Sequence, residues 1–171
     1  MIEKFIIDVP DFPKPGIIYK DITPLLADCN AMQSAINSIA NYYKKNDIDL
    51  IVGTESRGFI FGIGVSMAIG KGFVPIRKPG KLPRETYEQK YELEYGSDTL
   101  EIHQDAIKPG QKVLIVDDLL ATGGTMDASI RLAQKCGAEV VGCSFIIELA
   151  FLDGREKIQP IPVHSLIKYD R

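Results

Sequence analysis

The 171 residues carry 20 Lys and Arg against 23 Asp and Glu, a net charge of -3, and 45% of them are hydrophobic. That balance suits one soluble domain with a sizeable core. It gives no overall attraction to nucleic acid or to an anionic membrane, so an anionic ligand has to be held by local chemistry.

In chain order, "MIEKFIIDVPDF" has charges inside its apolar stretch and no small-residue cleavage site, so no signal peptide is expected, and no later run has the length of a membrane span. Residues 1–30, rich in Pro, Gly and Asp, read as ordered loops with short turns. In 31–45, Met32, Ile36, Ile39, Ala40 and Tyr43 fall on one face of a helix. "DLIVG" (49–53) reads as a short buried strand, "GFIFGIGVSMAIG" (58–70) as an apolar helix, and "FVPIRK" (73–78) as another strand.

A polar stretch runs on to Lys90, after which 91–96 and 99–103 alternate in period two as a hairpin-like pair. A strand over 112–117, a helix over about 124–136 and an apolar strand over 139–148 complete a β-loop-α-β unit. The alternation predicts a single α/β domain over 1–171, with a mainly parallel central sheet flanked by helices. Ligands then belong at the carboxyl ends of the strands. Cys29, Cys136 and Cys143 have neither metal nor redox spacing, and His103 and His164 stand alone. This argues against a zinc site and for a reducing, cytoplasmic setting.

The chemistry concentrates in "VLIVDDLLATGGTM" (113–126), where a buried strand ends in Asp117 and Asp118 and is followed by Ala121, Thr122, Gly123, Gly124 and Thr125. Small residues between a strand and a helix let backbone N–H groups converge, and the helix start adds partial positive charge. That is a phosphate cradle, with hydroxyl donors on Thr122 and Thr125. No Walker lysine follows and the G-x-G-x-x-G spacing is missing, so neither an ATP loop nor a dinucleotide site fits. Two carboxylates would repel a phosphate, so they should face donors such as vicinal ribose hydroxyls, with a divalent cation nearby to relieve repulsion. The bland alternative makes either aspartate a turn or helix-start residue. Phosphate at one end and diol at the other describe a ribose 5-phosphate.

This stretch resembles the phosphoribosyl diphosphate (PRPP) motif of the type I phosphoribosyltransferases. "FPKPGIIYKDITPLL" (12–26), "ESRGFIFG" (55–62), "IRKPGKLP" (76–83), "YELEYG" (91–96) and "GREKI" (154–158) extend the likeness to the adenine-specific members over most of the chain. The resemblance implies a glycosyltransferase that joins adenine to PRPP, giving AMP and diphosphate. It also implies Mg²⁺ held mainly by PRPP and water, with no direct side-chain ligation. Residues 121–125 would hold the 5-phosphate, and Asp117 and Asp118 the ribose diol.

For the leaving diphosphate, "GTESRGF" follows a strand end and offers Thr54, Glu55, Ser56, Arg57 and backbone amides. The resemblance implies a cis peptide at Glu55–Ser56. It further implies that Arg77, Lys78 and Lys81 reach diphosphate, partly across a homodimer interface. Residues 79–95, punctuated by Gly80 and Pro83, read as a lid that would exclude water. Period two places Glu92 and Glu94 on one strand face and does not choose between them; the resemblance chooses Glu94 as general acid/base, with Tyr95 its mobile neighbour. It also implies that residues 1–30 recognise the base: Tyr19 and Leu119 flank the adenine ring, and the backbones of Ile18 and Lys20 read its edge. Two rival readings stand: a transferase for another purine (guanine or xanthine) and a non-catalytic PRPP-sensing regulator. The regulator is disfavoured because no basic DNA-binding segment accompanies the motif.

Overall fold

A computed structural model describes residues 2–92 and 96–171. The predicted α/β architecture is present. Five parallel strands, β3 (Leu50–Thr54), β4 (Gly72–Ile76), β7 (Lys112–Leu120), β8 (Glu139–Leu149) and β9 (Val163–Tyr169), form the central sheet in the order β4-β3-β7-β8-β9. A sheet with two covered faces needs apolar residues on both. In β7, Val113 and Ile115 join one core, and Leu114 and Val116 join the other. The first core lies under α4 (Gly124–Lys135), and the second under α2 (Cys29–Tyr42) and α3 (Arg57–Ile69).

Residues 1–30 are more regular than loops. They contain an antiparallel pair, β1 (Ile7–Pro10) with β2 (Ile18–Asp21), and the short helix α1 (Thr23–Ala27). Helix α2 starts at Cys29 because the Asp28 carboxylate accepts from the Ala31 N–H at 2.8 Å, a cap the apolar spacing does not reveal. Its buried face is Ala31, Ala35, Ile39, followed by Tyr43, while Met32, Ile36 and Ala40 are half-buried.

The second hairpin is offset from the expected one. β5 (Thr86–Glu92) pairs along its whole length with β6 (Ser97–His103), so the strand begins inside the polar stretch. Tyr87, Gln89 and Tyr91 turn inward while Glu88, Lys90 and Glu92 turn out; an inward glutamine hides the alternation from a hydrophobicity reading. Half of the expected lid is therefore strand, with Tyr87 and Tyr91 packed on the first core. Strand β9 and the short helix α5 (Gly154–Lys157) were not anticipated. Of the polar residues that disguise β9, Ser165 donates at 2.6 Å to Glu148, which is 2% exposed and also accepts from Arg155 of α5 at 2.7 Å. Although burial opposes ionisation, these bonds hold the Glu148 carboxyl below its ordinary range.

The chain runs from β3 to β4 on one side, then returns through β7 to the other side of β3. At such a reversal the loops leave neighbouring strands in opposite directions and open a crevice beyond their carboxyl ends.

Candidate active site

That crevice, about 410 Å³, is lined by Glu55, Ser56 and Arg57 after β3, by Lys78 after β4, and by residues 117–126 at the end of β7. Two helix starts open into it. Neither Ser56 before α3 nor Gly123 before α4 supplies a side-chain cap, so the first N–H groups of both helices keep their donor capacity. Gly123 has φ of 84°, a conformation that admits glycine at little cost and turns the loop into α4.

Asp117 and Asp118 sit between the helix starts. Asp117 lies against α3 because Gly58 leaves room: a Cβ there would come within 2.6 Å of Asp117 Oδ1. Asp118 is 5% exposed, pairs with Arg57 Nε at 2.9 Å, and donates its N–H to Asp117 Oδ1 at 2.9 Å. Burial, reinforced by the neighbouring Asp118 charge, pushes the Asp117 carboxyl well up. Burial also raises Asp118, with Arg57 opposing the shift. Asp118 is thus the better candidate for the ionised member in the ligand-free chain.

The Glu55–Ser56 peptide bond is cis, as the resemblance implied. Glu55 Oε2 accepts from Arg77 Nε and from the Lys78 N–H, each at 3.0 Å. Arg77 is thereby committed to Glu55, and neither it nor the exposed Lys81 lines the crevice. Thr54 is placed differently from the expected donor. It is 1% exposed and its hydroxyl meets Ser129 at 2.9 Å. Ser129 uses its own proton on the Thr125 carbonyl at 2.8 Å, so Thr54 donates to Ser129 and ties β3 to the second turn of α4.

Leu119 lines the crevice, whereas Ile18, Tyr19 and Lys20 on β2 do not. Arg57 joins the two, because it donates to the Tyr19 hydroxyl as well as pairing with Asp118. The Lys20 ammonium is held by Asp8 at 2.7 Å and lies over the Tyr169 ring. Glu94 and Tyr95 lie outside the described residues; the last one before them, Glu92, has its carbonyl oxygen 3.0 Å from where a Cβ on Gly124 would sit. Sequence reasoning missed Leu120 and Met126 in the lining, although both belong to the quoted motif. It also missed α5 behind the loop, where a Cβ on Gly154 would collide with the Ala121 carbonyl.

A family model for the phosphoribosyl transferase domain matches residues 19–163. An adenine phosphoribosyltransferase of Desulfitobacterium hafniense (strain Y51) is 58% identical over 167 residues, covering 98% of this chain and 96% of that one. The chain belongs to the adenine phosphoribosyltransferase family. Among solved structures, the family member from Thermoanaerobacter pseudethanolicus superposes with a TM-score of 0.96 at 52% identity, with 98% of each chain covered. The Saccharomyces cerevisiae member, complexed with an imino-altritol bisphosphate and adenine, gives 0.90 at 40% identity over 96% of each chain.

Proposed function

We propose that this chain transfers the 5-phosphoribosyl group of PRPP to adenine, giving AMP and diphosphate in purine salvage. The observation that carries the reading is the crevice itself: two uncapped helix starts, Arg57 and Lys78 surround an acidic pair. An anion at each end and a diol donor between them satisfy every one of these groups, and PRPP has that order of charges.

In this reading the backbone of 121–125 and the Thr122 and Thr125 hydroxyls hold the 5-phosphate, and Asp117 and Asp118 accept from the ribose hydroxyls. Arg57, Ser56, Lys78 and the α3 amides receive the diphosphate; Glu55 keeps Arg77 and the Lys78 backbone beside it. As the C1–O bond breaks, its electron pair leaves with the diphosphate and positive charge develops on the ribose. The acidic pair favours that charge and the cations favour the leaving group. Adenine N9 forms the new bond to C1, and its proton passes to Glu94.

Tyr19 and Leu119 flank the base, and the Ile18 and Lys20 backbones read its edge. The Lys20 side chain is occupied elsewhere, which supports a main-chain role. Residues 1–30 thus serve base recognition and 79–95 the lid, within one domain over 1–171. No cluster of three His, Cys, Asp or Glu is present among the described residues. The donor set fits Mg²⁺ carried mainly by PRPP oxygens and water beside the acidic pair; when bound, it would neutralise diphosphate charge. The protein acts in the cytoplasm as a homodimer. No helix among the described residues is long and apolar enough to cross a membrane, and the three cysteines are free.

The test is diphosphate release from PRPP with adenine, hypoxanthine, guanine and xanthine compared side by side. Adenine is expected to exceed the oxopurines by orders of magnitude, because a site built for its amino group leaves buried partners unpaired when an oxygen replaces it. Preference for an oxopurine would select the transferase for another purine, and no turnover with any base would select the sensing role.

A further inference from the structure

The hairpin carries two side chains that the reading above leaves unused. Asp98 on β6 accepts from Lys78 Nζ at 3.1 Å and from the Tyr91 hydroxyl at 3.4 Å. Its carboxylate is oriented by the Thr99 N–H at 2.8 Å. Tyr91 is the cross-strand partner of Asp98, and its ring lies against the first turn of α4, with Cδ2 3.6 Å from where a Cβ on Gly124 would sit. Lys78 and Thr125 both line the crevice, one after β4 and the other in the first turn of α4.

The proton directions are fixed along this chain of contacts. An ionised carboxylate only accepts, so Tyr91 donates to Asp98. Lys78 uses one of its three protons on Asp98 and keeps two for an anion. The Thr99 N–H, then Lys78 and Tyr91, hold the Asp98 carboxyl below its ordinary range, so it stays charged wherever the enzyme works. Asp98 and Tyr91 thereby join one side of the crevice to the other through the hairpin.

We propose that Asp98 and Tyr91 are a positioning pair for PRPP, Asp98 holding Lys78 toward the diphosphate while Tyr91 braces Asp98 against the start of α4. The proposal rests on the PRPP reading of the crevice. The competing view is a plain rim ion pair, since Lys78 is largely exposed, and such pairs contribute little.

Steady-state kinetics of Asp98→Asn, Asp98→Glu and Tyr91→Phe decide between them. Asp98→Asn is expected to raise KM for PRPP roughly tenfold, the size of one charge-assisted hydrogen bond. Its KM for adenine should stay within about twofold of the unmodified chain, because base recognition does not depend on where Lys78 points. Asp98→Glu should recover most of the loss, and Tyr91→Phe should raise the same KM about threefold. In a Lys78→Gln background, Asp98→Asn should add nothing further. An unchanged KM for PRPP in both Asp98→Asn and Tyr91→Phe overturns the proposal, as does the full effect persisting without Lys78. Should Asp98→Asn fail to fold, Tyr91→Phe, which removes one oxygen, carries the test. Failure of the unmodified chain to turn over PRPP removes the functional reading too; normal turnover with indifferent variants removes only the positioning pair.

Discussion

Asp117 and Asp118 show how a binding task is written into a pair of side chains at the expense of the empty protein. Both carboxyls are raised by burial, so between the unfolded and folded values the folded chain binds protons more readily than the unfolded one. For a group raised in this direction, the stabilising contribution is full below the unfolded pKa of about 4 and is lost as pH rises through the folded value. Asp117→Asn is therefore expected to raise the Tm of the ligand-free chain at pH 7 by a few degrees. That gain should shrink as the pH approaches 4, and melting curves across this range would check it. With both aspartates changed to Asn, turnover should fall at least about a hundredfold while circular dichroism stays native. Full activity in the double variant would remove the diol-binding role. Glu94→Ala should lower kcat far more than it weakens adenine binding, which single-turnover and equilibrium titrations separate. Wild-type rates there would reassign the proton transfer.

Strands, helices and loops divide the labour differently from what spacing alone conveys. Strand β7 and helix α4 were legible because an apolar run and a glycine-rich loop are local signals, and the cradle residues 121–125 all line the crevice. Thr54 misled because a short strand does not announce which way its last side chain turns, and Ser129, 75 residues away, claims its hydroxyl. Hairpin β5–β6 was misregistered because its inward row mixes Tyr87 and Tyr91 with Gln89. Strand β9 escaped because Ser165 answers a buried glutamate and His164 a buried serine on β8 rather than solvent. Helix α5 is only four residues long, yet Gly154 lets it sit directly behind the loop. Gly154→Ala would drive a methyl group into the Ala121 carbonyl, which a backbone atom can relieve only by moving the loop. The expected result is a raised KM for PRPP, several-fold or more, with only a modest loss of stability; an unchanged KM would separate α5 from the cradle.

At the scale of the whole molecule, the sheet order could be anticipated only as mainly parallel, since nothing local tells a strand which neighbour it will have. The reversal between β3 and β4 on one side and β7 on the other brings residues 55–57, 78 and 117–126 to one crevice. A homodimer is expected only from the family likeness, which points to residues 77–81 as its interface. The apolar side chains Ile60, Ile63 and Met67 stand exposed on α3, Met67 at 77%, and they give a homodimer a second candidate surface. Sedimentation should return a dimer for the unmodified chain and a monomer for Ile63→Glu with Met67→Glu. A dimer that survives both changes would return the interface to 77–81.

The Arg57–Asp118 bond reaches beyond the resting state. An incoming polyanion that recruits the guanidinium must outbid a carboxylate already in place, so the net grip is weaker than the new contacts alone would suggest. In the proposed reading, this internal partner trades tightness for turnover, keeping Arg57 from holding the released diphosphate too firmly.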